Sequence, residues 1–162
     1  MLHIKVPATS ANMGPGFDCA GIALQLYNEI WVETIPSGID ISSKTNENIP
    51  KDESNLIYST IRDFYEAENI PMPGIRLIQD DHIPMTRGLG SSAACIVGGL
   101  IAANILSGKN YSKEELAQKA AKLEGHPDNS NPAIFGDMII SAMYSEGMKY
   151  VKLNVPKNIL FA

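Results

Sequence analysis

The sequence predicts an α+β fold, a single domain of mixed α/β layers. Three observations carry this. Strand-like alternation recurs near the start, middle and end of the chain, two stretches repeat apolar residues at helical spacing, and a long apolar run bounded by glycines lies between those two stretches. Strands and helices interleave, which excludes an all-α or all-β domain. No internal repeat or low-complexity linker breaks the order.

Residues 2–8 (LHIKVPA) read as a first strand with Leu2, Ile4 and Val6 on one face. Residues 9–21 (TSANMGPGFDCAG) hold three glycines and a proline and read as a shaped loop. Composition alone favours a plain connection, but long ordered loops tend to be functional. This one carries Asn12 and Asp18, two polar groups able to face a substrate. Residues 22–35 alternate cleanly: Ile22, Leu24, Leu26, Ile30 and Val32 share one parity, and Gln25, Glu29 and Glu33 the other. Asn28 interrupts the apolar face, and a buried amide bonded to backbone explains it more simply than a ligand does. Ser37-Gly38 turns the chain into a short return strand, Ile39 to Ser43, and the polar residues 44–53 lie on the surface.

Ser54 or Asn55 caps a helix running to about Glu68, buried through Ile57, Ile61, Phe64 and Tyr65. Pro71 and Pro73 close that region, and Gly74 to Asp80 reads as a strand with Ile75 and Leu77 inward. His82 is assigned no role. Ala93 to Leu106 reads as an apolar helix, too short for a bilayer span of about 20 residues. Gly108 stops it. Ser112 and Glu115 form a capping-box pattern for a further helix to about Glu124, with Leu116, Ala120 and Leu123 on its buried side. Gly125 and Pro127 break that helix. A loop follows to Asp137, and Met138 to Tyr144 and Lys149 to Val155 read as a closing pair of strands.

With 162 residues, 44% of them apolar and 19% charged, the chain can bury a sizeable core. Its net charge of −5, without a basic block, argues against nucleic acid or an anionic membrane as partner. No secretory signal is visible. Cys19 and Cys95 make neither a metal spacing nor a disulfide framework and read as reduced, buried thiols of a cytoplasmic protein.

The chemistry concentrates in IPMTRGLGSSAACIVGGLIAANIL, residues 83–106. Gly88 and Gly90 let backbone approach a ligand, and a helix starting near Ser91 and Ser92 offers unpaired N–H groups to an anion. This is not a Walker A loop, because no lysine follows Gly90. Phosphates here would be held by backbone N–H groups, serine hydroxyls and Arg87. A hydroxyl of Ser91 or Ser92 can ligate Mg²⁺, with Glu124 as the matching carboxylate. The cluster of Glu124, His126, Asp128 and Asn129 has poor spacing for a metal site of its own.

Three segments, in order, resemble one family. PMTRGLGSSAA (84–94) resembles the second motif of the galactokinase, homoserine kinase, mevalonate kinase and phosphomevalonate kinase (GHMP) superfamily. PATSANMGPGFDCAGIAL (7–24) and EGHPDN with PAIFGD (124–129, 132–137) are similar to homoserine kinase patterns. The resemblance implies ATP and Mg²⁺ as cofactors and phosphorylation of L-homoserine to O-phospho-L-homoserine in threonine biosynthesis. It implies an ATP phosphate site from Pro84, Met85, Thr86, Arg87, Gly88, Leu89, Gly90, Ser91, Ser92, Ala93 and Ala94. Ser92 and Glu124 would hold Mg²⁺, and Asn12, Asp18, His126 and Asn129 would contact homoserine. Asp18 and Asn129 are the residues expected at the reacting hydroxyl. Related kinases carry an aspartate general base near Asn129; an amide cannot take that proton, so positioning and charge neutralisation would carry the reaction.

The same resemblance implies a mixed α/β fold with a left-handed βαβ crossover, against the usual right-handed rule. Two departures stand out. The family has Val-Ala where this chain has Ser130-Asn131, which either alters substrate packing or sits on the surface. Family members also run to roughly twice this length. The expectation is therefore an N-terminal ATP-binding domain over residues 1–155, with 156–162 starting a linker to a C-terminal domain. Apolar surface exposed for that domain, and self-association, would follow. A nucleotide-binding domain without turnover and a kinase for another small alcohol are the alternatives. A homodimer is one assembly open to the full-length protein.

Overall fold

The computed structural model describes residues 1–156. The elements are β1 (Leu2–Ala11), β2 (Ala20–Ile35), β3 (Ile39–Ser43), α1 (Leu56–Ala67), β4 (Gly74–Asp80), α2 (Ser91–Ser107), α3 (Lys113–Glu124), α4 (Ser130–Phe135), β5 (Met138–Tyr144) and β6 (Gly147–Leu153). Of the expected linker, residues 157–162 lie outside the described residues.

The long β2 is the axis of a mixed sheet ordered β3-β4-β2-β5-β6, with β1 also paired to β2. Ile30 faces Ile4 of β1 and Gln79 of β4, so these two strands occupy opposite edges of β2. β4 takes the C-terminal half of the second edge, and β5 pairs only with Ala20 to Ile22 at the N-terminal end. Where β4 ends, Asn28 continues the pairing with its side chain. Its Oδ1 accepts the backbone N–H groups of His82 and Ile83 at 2.8 Å each, and its Nδ2 donates to Asp81 Oδ1 at 3.1 Å. The buried amide expected from the sequence is what the structure contains.

Four expectations are corrected. β1 runs on to Ala11, because Thr9 to Ala11 pair with Ala23 to Gly21, so the shaped loop shrinks to residues 12–19. β3 is not the return partner of β2. It pairs in parallel with β4, across the α1 crossover, where Ile41 can bury beside Leu77. Residues 130–135 are not loop but a short helix, α4. Ser130 and Asn131 on it are fully buried, not at the surface. Asn131 Nδ2 donates to Ser141 Oγ at 2.6 Å, tying α4 to β5, which accounts for a polar residue there. Leu123 lies outside the core, 50% exposed beside the cleft described below.

The helices cover the sheet, with α2 at their centre against β1, β2, α1, α3 and α4. Its apolar character on every side suits a buried helix. Two adjacent glycines set its depth. A Cβ on Gly98 would lie 2.2 Å from Ile30 Cδ1, and one on Gly99 would lie 2.8 Å from Thr60 Cβ and 2.9 Å from the Ile57 carbonyl oxygen. The outer face of β5 and β6 leaves Ile140, Val151 and Leu153 exposed. No helix among the described residues is long and apolar enough to cross a membrane.

Gly99→Leu drives a side chain against α1 backbone that cannot swing aside. It is expected to cost about 1–3 kcal/mol, the usual range for overpacking. A thermal melt reads this as a fall of several degrees; an unchanged midpoint would contradict the close approach.

Candidate functional site

The first wall of the site is the turn from β4 into α2. Thr86, Gly88 and Gly90 all adopt positive φ (59°, 70° and 66°), which coils the backbone tightly before the helix. Gly90 is the N-cap, and no side chain caps this end of α2. Its first-turn N–H groups therefore point outward at the positive end of the helix dipole. A side chain at Gly90 is excluded, because a Cβ would meet Thr9 Oγ1 at 2.0 Å. α2 begins at Ser91, two residues earlier than Ala93, so both serines belong to its first turn.

The second wall is the end of α3 and the start of α4. Gly125, at φ 86°, ends α3 and turns the chain after Glu124. His126 Nδ1 bonds Asp128 Oδ1 at 2.5 Å, and Asp128 is buried. Thr9 joins the two walls: its hydroxyl donates to Asn129 Oδ1 at 2.8 Å, and its backbone N–H donates to the Leu89 carbonyl at 3.1 Å.

Between the walls lies a cleft of about 530 Å³, lined by Pro84, Thr86 to Ala93, Ile96, Leu123, Glu124, His126 and Asn129. A second, more apolar cleft of about 310 Å³ lies beside it, sharing Thr86, Ser91 and Ser92. Of the expected phosphate-site residues, Pro84 and Thr86 to Ala93 line the first cleft, Met85 lines the second, and Ala94 is buried in the core. Glu124, His126 and Asn129 join the phosphate loop; Asn12 and Asp18 do not line the cleft. Both are exposed, both have positive φ, and Asn12 Oδ1 accepts the Asp18 backbone N–H at 2.9 Å, so Asn12 shapes its own loop.

The model for the GHMP kinases N terminal domain matches residues 55–137, which include β4, the glycine turn, α2 and both walls. The chain belongs to the GHMP kinases. The homoserine kinase of Caldicellulosiruptor saccharolyticus is 47% identical over 163 aligned residues, covering 100% of this chain and 53% of that protein. A candidate homoserine kinase from Listeria monocytogenes superposes with a TM-score of 0.87 at 39% identity, over 96% of this chain and 55% of that one. The homoserine kinase of Cytophaga hutchinsonii does so at 0.77 and 31%, over 96% and 53%. The chain spans about half the length of the relatives it matches.

Within this GHMP kinase domain the charges are arranged around buried groups. Burial pushes the Glu124 carboxyl up to about 7, while Ser130 and His126 nearby act in the opposite sense. Its Oε2 is buried with no hydrogen-bond partner, and neither Ser130 Oγ nor Asp128 Oδ2 has one. Burial is the largest single influence and disfavours the His126 cation, but the carboxylates of Asp128, Glu124 and Asp18 together outweigh it and raise the His126 pKa. An orphaned carboxylate oxygen and the exposed Ser92 hydroxyl on one cleft fit a hard, oxygen-seeking cation such as Mg²⁺. Among the described residues no cluster of three His, Cys, Asp or Glu could hold a metal alone, so phosphate or water oxygens would complete the set.

Sequence reasoning missed Thr9. A threonine between Ala8 and Ser10 carries no local signal, and its role appears only when residues 89 and 129 are brought beside it. It also missed the second cleft, whose lining is drawn from residues 49–57, 79–81, 85–86 and 91–95.

The Glu124 carboxyl binds its proton more tightly when folded, at about 7, than at its ordinary 4.5. Its stabilising protonation is complete below pH 4.5 and lost as pH rises through 7. In metal-free buffer, Glu124→Gln is therefore expected to melt above the parent at pH 8, with the gap closing at pH 4.5. A gap independent of pH would contradict the buried carboxylate.

Proposed function

We propose that this chain forms the nucleotide-binding part, residues 1–155, of an ATP-dependent homoserine kinase. The reaction transfers the γ-phosphoryl group of ATP to the hydroxyl of L-homoserine, giving O-phospho-L-homoserine for threonine biosynthesis. The observation that carries the reading is the uncapped start of α2 facing Glu124, His126 and Asn129 across one cleft. Relatives named as homoserine kinases match the whole chain and support the choice of substrate.

In this reading the N–H groups of Gly88 to Ala93 hold the phosphates, with Arg87 offsetting their charge. Ser92 and Glu124 hold Mg²⁺, which when bound neutralises charge on the phosphates. The second cleft, apolar and continuous with the phosphate loop through Thr86, Ser91 and Ser92, takes the base. Asn129 Oδ1 is occupied by Thr9, which turns its Nδ2 toward the cleft as a donor. Asn129 thus orients an oxygen and removes no proton. His126, raised by Asp128, adds positive charge near the transferred group. No strong base is required, since a loose phosphoryl transition state is served mainly by positioning and charge.

The Asp18 carboxylate is close enough for its charge to be felt at His126, and it is the proposed contact for the substrate ammonium. The part of the relatives' length that this chain does not span would complete the homoserine site. The setting is cytoplasmic, and a homodimer is one assembly open to the full-length protein.

Incubation with Mg-ATP and L-homoserine, followed by ³¹P NMR, is expected to show O-phosphohomoserine and ADP appearing together in the full-length protein. Phosphorylation of another small alcohol, with homoserine left untouched, would overturn the substrate. For this chain alone, binding of Mg-ATP without turnover would support the narrower reading of a nucleotide-binding domain.

A further inference from the structure

Among the described residues, the buried side-chain atoms left without a hydrogen-bond partner gather where α3 ends and α4 begins. They are Glu124 Oε2, Asp128 Oδ2, Ser130 Oγ and Asn131 Oδ1. With the carboxyls ionised, three of the four can only accept, whereas the Ser130 hydroxyl can also donate. Asp128 and Asn131 already hold a bond through their other side-chain atom, to His126 and to Ser141. Glu124 is the acceptor that Ser130 serves: the hydroxyl and the backbone N–H of Ser130 both bear on its carboxyl and favour the charged form against burial.

Ser130 is fully buried and its backbone is held on both sides. Asn129 before it is tied to Thr9 at 2.8 Å, and Asn131 after it to Ser141 at 2.6 Å. The turn into α4 is also packed against β2, where a Cβ on Gly21 would lie 1.7 Å from the Asp128 carbonyl oxygen. The donor is therefore fixed, and rotation of the two side chains closes the bond. Glu124 meanwhile lines the cleft opposite the glycine turn. A carboxylate that ligates a metal is commonly hydrogen-bonded in turn, and losing such a partner weakens the metal about 10- to 100-fold. The valine of the homoserine kinase pattern at this position carries no donor, so the device belongs to this chain's Ser130.

Resting on the reading of Glu124 as a cation ligand, we propose that Ser130 is its positioning residue: the hydroxyl donates to the buried Oε2 and leaves the other carboxylate oxygen to the cation.

The test is the dissociation constant of Mn²⁺ from the complex of this chain with the β,γ-imido analogue of ATP, read from the EPR signal of free Mn²⁺ at about pH 8. Ser130→Ala is expected to weaken Mn²⁺ about tenfold. Ser130→Thr and Ser130→Val have nearly one shape and differ in the hydroxyl, so the Thr variant is expected to bind about fivefold more tightly than the Val variant. In a Glu124→Gln background, Ser130→Ala is expected to cost less than about twofold. An unchanged constant in Ser130→Ala, equal binding by the Thr and Val variants, or the full tenfold loss in the Glu124→Gln background would overturn the assignment while leaving Glu124 a ligand. Glu124→Gln that binds Mn²⁺ as tightly as the parent would overturn the assignment and the ligand reading together. Ser130→Ala removes a single buried atom, so its two comparisons decide the matter even where the bulkier variants do not fold.

Discussion

Thr9, near the end of β1, bonds the Leu89 carbonyl and the amide oxygen of Asn129 and fills the space a Cβ would take at Gly90. The glycine turn and Asn129 come from segments some forty residues apart, and Thr9 hydrogen-bonds to both. Pinning both to a buried strand residue sets the width of the cleft and the direction of the α2 N-terminus. The close fit leaves no room for a Cβ at Gly90, so the glycine is required by its neighbour as well as by its positive φ. Gly98 and Gly99 serve the same end from behind, letting α2 sink onto β2 and α1 so that its first turn is held rigidly.

The electrostatics follow from that geometry. The uncapped helix start and Arg87 supply positive potential on one side; on the other, Asp128 balances the charge that His126 carries. Glu124 is the counterweight: a carboxylate short of partners and costly to leave charged where it is buried.

Much of this was legible in the sequence, for local reasons. The Ser112–Glu115 capping box forms as the pattern requires, and β4 spans Gly74–Asp80 as alternation and flanking residues indicate. The parity of β2 holds around its buried Ile30 and Val32. The glycine turn was legible because an uncapped, glycine-led helix start has a physical signature. What was hidden depends on tertiary contact. α4 is six residues long, contains Pro132 and begins with two polar side chains, so nothing local distinguishes it from loop. Asn131 is buried because Ser141, on β5, is there to meet it, while Ser130 is buried beside it with its hydroxyl unpartnered. Asn12 reads as a ligand group but spends its amide oxygen on its own loop, which is the commoner use of an asparagine at positive φ.

The central claim is that Thr9 holds the two walls of the cleft in register. The most direct test is Mg-ATP affinity, by calorimetry, for the near-isosteric Thr9→Val, with a thermal melt confirming that it folds. Losing one hydrogen bond worth about 1 kcal/mol should weaken binding roughly fivefold. The account predicts that loss in a folded variant; affinity equal to the parent's would contradict it.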